Sequence, residues 1–125
     1  MTKLGKTYGI EKRGTPKGRG NITLLEIGWC AGFLEGEGSF TGGRGFTIKA
    51  GQRSREPLER LQLLLGGRIG TQSKGQLFRW SVSGPRARGV ALTLYPLLSE
   101  RRQEQIRGWI HQDSPERLRR GGGLS

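Results

Sequence analysis

Two glutamates close a glycine-spaced segment in the first third of the chain. Glu35 and Glu37 follow Gly28, Gly32 and Gly36, which recur at every fourth residue, with Ala31 beside them. A helix through this segment lines the glycines along one side. Each glycine in a helix interior is unfavourable by about 1 kcal/mol relative to alanine, so three of them need a compensating role. A bare strip of backbone admits a second helix at very short range. The two carboxylates fall at the helix C-terminus, where the macrodipole disfavours negative charge. One or two carboxylates, completed by water and substrate phosphates, make an oxygen-rich site for Mg²⁺. Two such helices packed side by side bring a carboxylate from each to a shared axis, an arrangement suited to metal-assisted attack on two phosphodiester strands.

The charge balance fits a polyanionic partner. The 125-residue chain holds 22 Lys and Arg against 10 Asp and Glu, for a net charge of +12. Residues 1–20 contribute six basic and one acidic residue, and residues 113–125 three and two. The middle, 21–112, keeps thirteen basic against seven acidic, so the excess does not reside in the ends alone. A field of this sign attracts nucleic acid. Cys30 is the single cysteine and His111 the single histidine. An intrachain disulfide is thereby excluded, and a zinc cluster or a Ser-His-Asp triad is hard to build. Cys30 reads as a small buried apolar residue, and His111 as a surface residue near a helix end. No apolar run reaches the length of a membrane span and the N-terminus lacks a signal-peptide core. The expectation is therefore an intracellular protein without a membrane partner.

The elements that must position the carboxylates follow from capping and periodicity. Residues 1–20, with five glycines and Pro16, read as a flexible basic arm, and residues 113–125 as a flexible tail. The domain lies between, at 21–112. Thr23 and Glu26 form a capping-box pattern that starts the first helix, which stops near residues 36–38. Strands are expected at 39–41 and 45–52 across Gly42, Gly43 and Arg44. Phe46, Ile48 and Ala50 alternate with Thr47, Lys49 and Gly51, giving one apolar and one polar face. A second helix spans 56–65, with Pro57 in its first turn, an apolar stripe at Leu58, Leu61 and Leu65, and a stop at Gly66 and Gly67. Strands at 68–73 and 76–83 pair across Lys74 and Gly75, with Phe78, Trp80 and Val82 on one face. Helices at 86–95, before Pro96, and at 99–111 complete the order.

The stretch Trp29-Cys30-Ala31-Gly32-Phe33-Leu34-Glu35-Gly36-Glu37-Gly38-Ser39-Phe40 resembles the LAGLIDADG motif of homing endonucleases, with Cys30 to Gly38 as its nine core positions. Tyr95-Pro96-Leu97-Leu98 is similar to the family's segment before its final helix, and the element order agrees over about 21–110. The resemblance implies an α+β domain, αββαββα, whose four-stranded antiparallel sheet saddles the DNA major groove. It implies that Glu37, with Gly36 beside it, binds Mg²⁺ or another divalent cation. It implies that Gly28, Ala31, Gly32, Glu35 and Gly36 line the contact between two motif helices. One motif per chain implies a homodimer on a pseudo-palindromic double-stranded DNA target.

The resemblance further implies polar or basic residues near the ends of the second and fourth strands. Gln52 is the match for the first, with Arg53 and Arg55 nearby; Arg86 or Arg88 lies in the region of the second. Gln52, Arg55 and Arg86 are the expected catalytic partners of Glu37, positioning water and stabilising phosphate charge. Thr47, Lys49, Arg53, Arg68, Gln72, Lys74, Arg79, Ser81 and Arg88 are expected to contact DNA, Arg and Gln at bases and Lys and Ser at phosphates. The function so implied is site-specific, metal-dependent cleavage of double-stranded DNA by an intron-encoded type of enzyme. The alternative is a non-catalytic DNA- or RNA-binding relative, a maturase or regulator. A basic ribosomal-type RNA-binding protein is a third reading, with no role for the glycine stripe.

Overall fold

A computed structural model describes residues 18–113 apart from Ser73. The expected arm and tail lie outside the described residues, save for 18–20 and 113. Residues 18–20 belong with the fold rather than with a free arm. Gly18 lies against the backbone of Leu64 and Gly66, and Arg19 pairs with Glu26 while donating to the Asn21 carbonyl.

Helix α1, Leu24–Glu37, begins at the predicted capping box. Thr23 Oγ1 accepts from the Glu26 amide at 3.1 Å, and Glu26 Oε1 accepts from the Thr23 amide at 2.9 Å. Two of the donors that every helix start leaves without partners are thereby satisfied. At the other end the chain passes from helix to strand with no linking residue. Strand β1, Gly38–Thr41, starts one residue earlier than expected. Gly38 is extended, its amide donates to the Leu34 carbonyl, and a Cβ there would stand 2.7 Å from that same oxygen. Only glycine allows so abrupt an exit.

Strand β2, Thr47–Gln52, starts two residues later than expected, because residues 42–46 form the connecting loop with Gly43 at φ 142°. Helix α2, Glu56–Leu65, has its predicted bounds and buries Leu58, Leu61, Leu64 and Leu65. It ends at Gly66 and Gly67, both at positive φ. A Cβ at Gly67 would meet the Ser81 carbonyl and the Trp80 indole nitrogen at 2.7 Å, so the return into β3 also demands glycine. β3, Arg68–Gln72, and β4, Leu77–Ser83, follow. Helix α3, Gly84–Leu94, starts two residues earlier than expected, with Pro85 in its first turn, and gives way to a 3₁₀ turn at Tyr95–Leu97 around Pro96. Helix α4, Glu100–Trp109, is capped by Ser99 and runs into a 3₁₀ turn at Ile110–Asp113.

The strands form one antiparallel sheet in the order β1-β2-β4-β3. Phe40, Ile48, Ala50, Trp80 and Val82 project to one face, and all are buried. The buried residues of the four helices join them in a single core: Cys30 and Leu34 from α1, Leu58 and Leu61 from α2, Leu94 from α3, Ile106 from α4. The Trp80 indole, wholly buried, donates to the Gly66 carbonyl at 2.8 Å, which satisfies its one polar atom. The outcome is a two-layer α+β domain with its helices on one side and the other sheet face open.

Thr23→Ala removes the cap and is expected to lower the unfolding free energy by about 1 kcal/mol in urea titrations. The Glu26 carboxyl is held below its ordinary range, first by the Thr23 amide and then by Arg19. Its contribution is therefore complete above the ordinary carboxylate range and is lost as pH falls through the depressed value. The stability gap between wild type and Glu26→Gln is expected to narrow in acid.

Candidate nucleic-acid interface and carboxylate centre

Strand alternation sends a second set of residues to the open face, and the register lines them up in rows. Thr41, Thr47 and Ser83 form one row, with Thr47 Oγ1 and Ser83 Oγ 3.2 Å apart. Ser39, Lys49, Ser81 and Arg68 form the next. Gly51, Arg79 and Gly70 form a third, and Leu77 and Gln72 a fourth. Six of the expected DNA contacts, Thr47, Lys49, Arg68, Gln72, Arg79 and Ser81, therefore share this surface. At the first-hairpin end it deepens into a cleft of about 380 Å³ lined by Thr41, Arg44, Thr47, Lys49 and Ser83. Every carboxylate of the described residues lies on a helix or a 3₁₀ turn, none on a strand or in a hairpin loop. Hydroxyl, guanidinium and ammonium groups facing outward without acidic neighbours suit a phosphodiester backbone.

The other DNA-contact expectations separate. Lys74 is exposed in the β3–β4 turn at φ 57°, and Arg53 is exposed in the bend after β2. Arg88 is half-buried on α3, in the helix layer rather than on the open face, because α3 folds back over the core side of the sheet.

Glu37 is the last residue of α1 and is exposed, and no hydrogen bond or ion pair reaches its carboxylate among the described residues. Helix termination also leaves the carbonyls of Gly36 and Glu37 without intrahelical partners. Gln52 ends β2 on the strand beside β1, at the same end of the sheet as Glu37, since Gly38 faces Ala50. It shares the helix-side face with Ala50 and stands opposite Phe78. Arg55 lies just beyond, where its Nε donates to Glu59 at 2.8 Å and its guanidinium covers the Phe78 ring at 5.6 Å. Arg86 does not join this group. β4 carries the chain away from the Glu37 end before α3 begins, so Arg86 borders a small cleft with Arg68, Ser81 and Ser83.

Two arginines that the sequence pattern does not single out stand near Glu35 instead. α4 brings Arg101 and Arg102 to the last turn of α1. Glu35, expected at an interface between copies, is engaged within its own chain. Its Oε1 accepts from the Ser99 amide at 2.8 Å, and its carbonyl accepts from Arg102 Nε and Nη2 at 3.2 and 3.0 Å. The Ser99 amide holds the Glu35 carboxyl below its ordinary range, with further lowering by the Ser99 hydroxyl, Arg102 and Arg101. A carboxylate placed against the helix-dipole preference of α1 is thus the acceptor at the start of α4.

The glycines behave as their spacing predicts. A Cβ at Gly28, Gly32 or Gly36 would meet nothing within 4 Å. Nothing among the described residues explains their choice. Leu25, on the same side of the helix, is 88% exposed, and Trp29 and Phe33 stack at the rim, with Arg60 over the Trp29 ring. Ala31 is a correction: it is 2% exposed and faces the chain's own core, because one residue before Gly32 the helix has turned about 100°. Cys30 is buried, as expected, and burial pushes its thiol up to about 11, leaving it unreactive. His111 is exposed in the terminal 3₁₀ turn, also as expected.

The donor set bears on which cation suits the site. Among the described residues, no three His, Cys, Asp or Glu side chains gather. One exposed carboxylate beside free carbonyls suits a hard, oxygen-preferring ion completed by phosphate oxygens and a second chain. It does not suit zinc, whose protein sites gather three or four ligands drawn mainly from His and Cys.

Residues 24–77 match the family model described as a LAGLIDADG-like domain. No curated protein matches. Among solved structures, the homing endonuclease I-CvuI in complex with the I-CreI target, in the presence of Mg with the DNA not cleaved, is similar at 18% identity and a TM-score of 0.59. That likeness covers 75% of this chain and 73% of that one. I-CvuI has also been solved with its own target in the presence of Ca. The homing endonuclease I-TnaI is similar at 17% identity and a TM-score of 0.52, over 79% of this chain and 77% of that one. The group I intron-encoded homing endonuclease I-CeuI, complexed with DNA, is similar at 15% identity and a TM-score of 0.51, over 85% and 60%. At these identities the structural likeness is one of fold. Residues 24–77 are thus similar to a LAGLIDADG-like domain, and the chain has the fold seen in LAGLIDADG homing endonucleases.

Proposed function

We propose that this protein is a site-specific endonuclease that hydrolyses double-stranded DNA with a divalent cation, two copies acting together on a pseudo-palindromic target. The observation that carries the reading is the position of Glu37. It ends α1 exposed and uncommitted, at the margin of the open sheet face and close to the bare glycine strip. A second copy docked along that strip brings two such carboxylates together across one duplex. The open faces of two sheets then line up along the groove. DNA-bound structures of the same fold, with Mg or Ca present, support the same choice of partner and ion.

Each residue has a chemical part in this scheme. Glu37 and the Gly36 carbonyl hold the cation, which supplies Lewis-acid neutralisation of phosphate charge when bound. Gln52, at the same end of the sheet, orients water by hydrogen bonding. Arg101, beside the last turn of α1, takes the charge-stabilising part first expected of Arg86. Arg55 adds positive potential while held by Glu59 and Phe78. Lys49, Arg68 and the hydroxyls of Thr47 and Ser81 bind the backbone, and Arg79 reads a base edge. No described helix is long and apolar enough to cross a membrane. An enzyme of this kind works where genomes are, in bacterial or phage cytoplasm or an organelle.

One observation favours the alternative of a binding module without cleavage, with DNA or RNA as ligand. β1 has only four residues, so the first hairpin offers a small reading surface. Incubation with a randomised duplex library and Mg²⁺ separates the two. The enzyme reading expects cleavage of a subset of sequences, lowered at least about a hundredfold by Glu37→Gln, with duplex binding in Ca²⁺ retained. No cleavage of any sequence by wild type, with RNA preferred in competition, would establish the alternative.

The open face makes its own prediction. Lys49→Ala is expected to reduce the salt slope of DNA binding by about one, and Arg79→Ala to relax base preference at one position by about 1–3 kcal/mol. Both side chains are exposed, so unfolding free energies are expected to stay within about 0.5 kcal/mol of wild type. Unchanged slope and base preference would remove the sheet from the interface.

A further inference from the structure

Arg102 is the one charged side chain in the core of the described residues, at 7% exposure. A guanidinium so far from water is unfavourable unless its donors are filled. Here they are filled in an unusual way. Among the described residues no carboxylate forms an ion pair with it. Nε and Nη2 converge on the Glu35 carbonyl, Nη1 donates to Gln105 Oε1 at 3.0 Å, and Cζ lies 5.7 Å from the centre of the Phe40 ring. The fork closes on a carbonyl of the last turn of α1, where orphan acceptors and the dipole favour a cation. Phe40 stands on β1, three residues past Glu37. The guanidinium therefore grips the chain on both sides of Glu37.

A second contact grips the same turn. The Glu35 carboxylate accepts from the Ser99 amide, and the Ser99 hydroxyl accepts from the Arg102 amide at 3.3 Å. Glu35, Ser99 and Arg102 thus form a closed circuit between the end of α1 and the start of α4. A packed apolar residue at position 102 would serve stability as well or better. A planar fork does what such a residue cannot: it sets the rotation of the last helical turn. The exposed carboxylate two residues on owes its direction to that rotation.

We infer that Glu35 and Arg102 form a latch that positions Glu37 as a cation ligand, Arg102 being a positioning residue rather than a catalytic one. The inference rests on the endonuclease reading above. Lysine keeps the charge of Arg102 but cannot close the fork. Ca²⁺ is the probe, titrated into protein bound to the duplex that wild type selects from a randomised library, with metal-free affinity for the same duplex measured alongside. In Arg102→Lys, Ca²⁺ affinity is expected to fall about tenfold to a hundredfold, the range found when groups that orient a ligand are removed. Metal-free duplex affinity is expected to remain near wild type, which a loss of general packing would not allow.

Glu35→Gln, which keeps the shape of the side chain but weakens the Ser99 contact, is expected to shift Ca²⁺ binding in the same direction and decides the matter should Arg102→Lys fail to fold. Unchanged Ca²⁺ affinity in a folded variant would overturn the latch alone, and so would an equal loss of metal-dependent and metal-free binding. Absence of Ca²⁺ binding by the wild-type complex would instead overturn the endonuclease reading and the latch with it.

Discussion

The direct passage from helix to strand at Gly38 is the constraint on which the rest of the structure depends. A side chain there would collide with the Leu34 carbonyl that receives the Gly38 amide. With glycine in place, α1 ends at the sheet edge instead of in a loop. Glu37 is therefore fixed by two rigid elements at once, its helix before and its strand after. The same junction sets the register of Phe40 against Ile48 and so decides which residues of β1 and β2 enter the core. A connecting loop would leave the carboxylate free to wander, and an oriented ligand is worth far more than a mobile one.

The layered architecture then separates charge. Helices carry the carboxylates of the described residues and shield the core, while the sheet turns a face of hydroxyl and cationic groups outward. A face of cationic and hydroxyl groups free of carboxylates suits a polyanion. The glycine strip of α1 adds a second surface of different character, apolar and nearly flat, with exposed Leu25 in line with it. Three helix-weakening residues in one exposed row cost stability that the isolated chain never recovers.

Local chemistry was the most legible part of the fold. Thr23 and Glu26 announced the start of α1 because a capping box needs only four consecutive residues. The alternation at 46, 48 and 50 and at 78, 80 and 82 announced which strand faces are buried, since the period of a strand is strict. Interactions between elements distant in the chain were not legible. Ser99 and Arg102 meet Glu35 across more than sixty residues, and no spacing rule reports that. The family resemblance paired Arg86 with Glu37 as the basic residue after the fourth strand, but strand direction carries it to the far end of the sheet. Ala31 was grouped with the glycines by type, although helical rotation turns it inward.

The central claim is that the bare face of α1 is covered by a second copy of the same chain. Its most direct test is the mass of the protein in solution, by sedimentation equilibrium, for wild type and Gly32→Leu. Twice the 13.8 kDa chain mass for wild type, returning to 13.8 kDa when leucine fills the strip, is the predicted result. A wild-type particle of single-chain mass, unchanged when bound to duplex DNA, would contradict it.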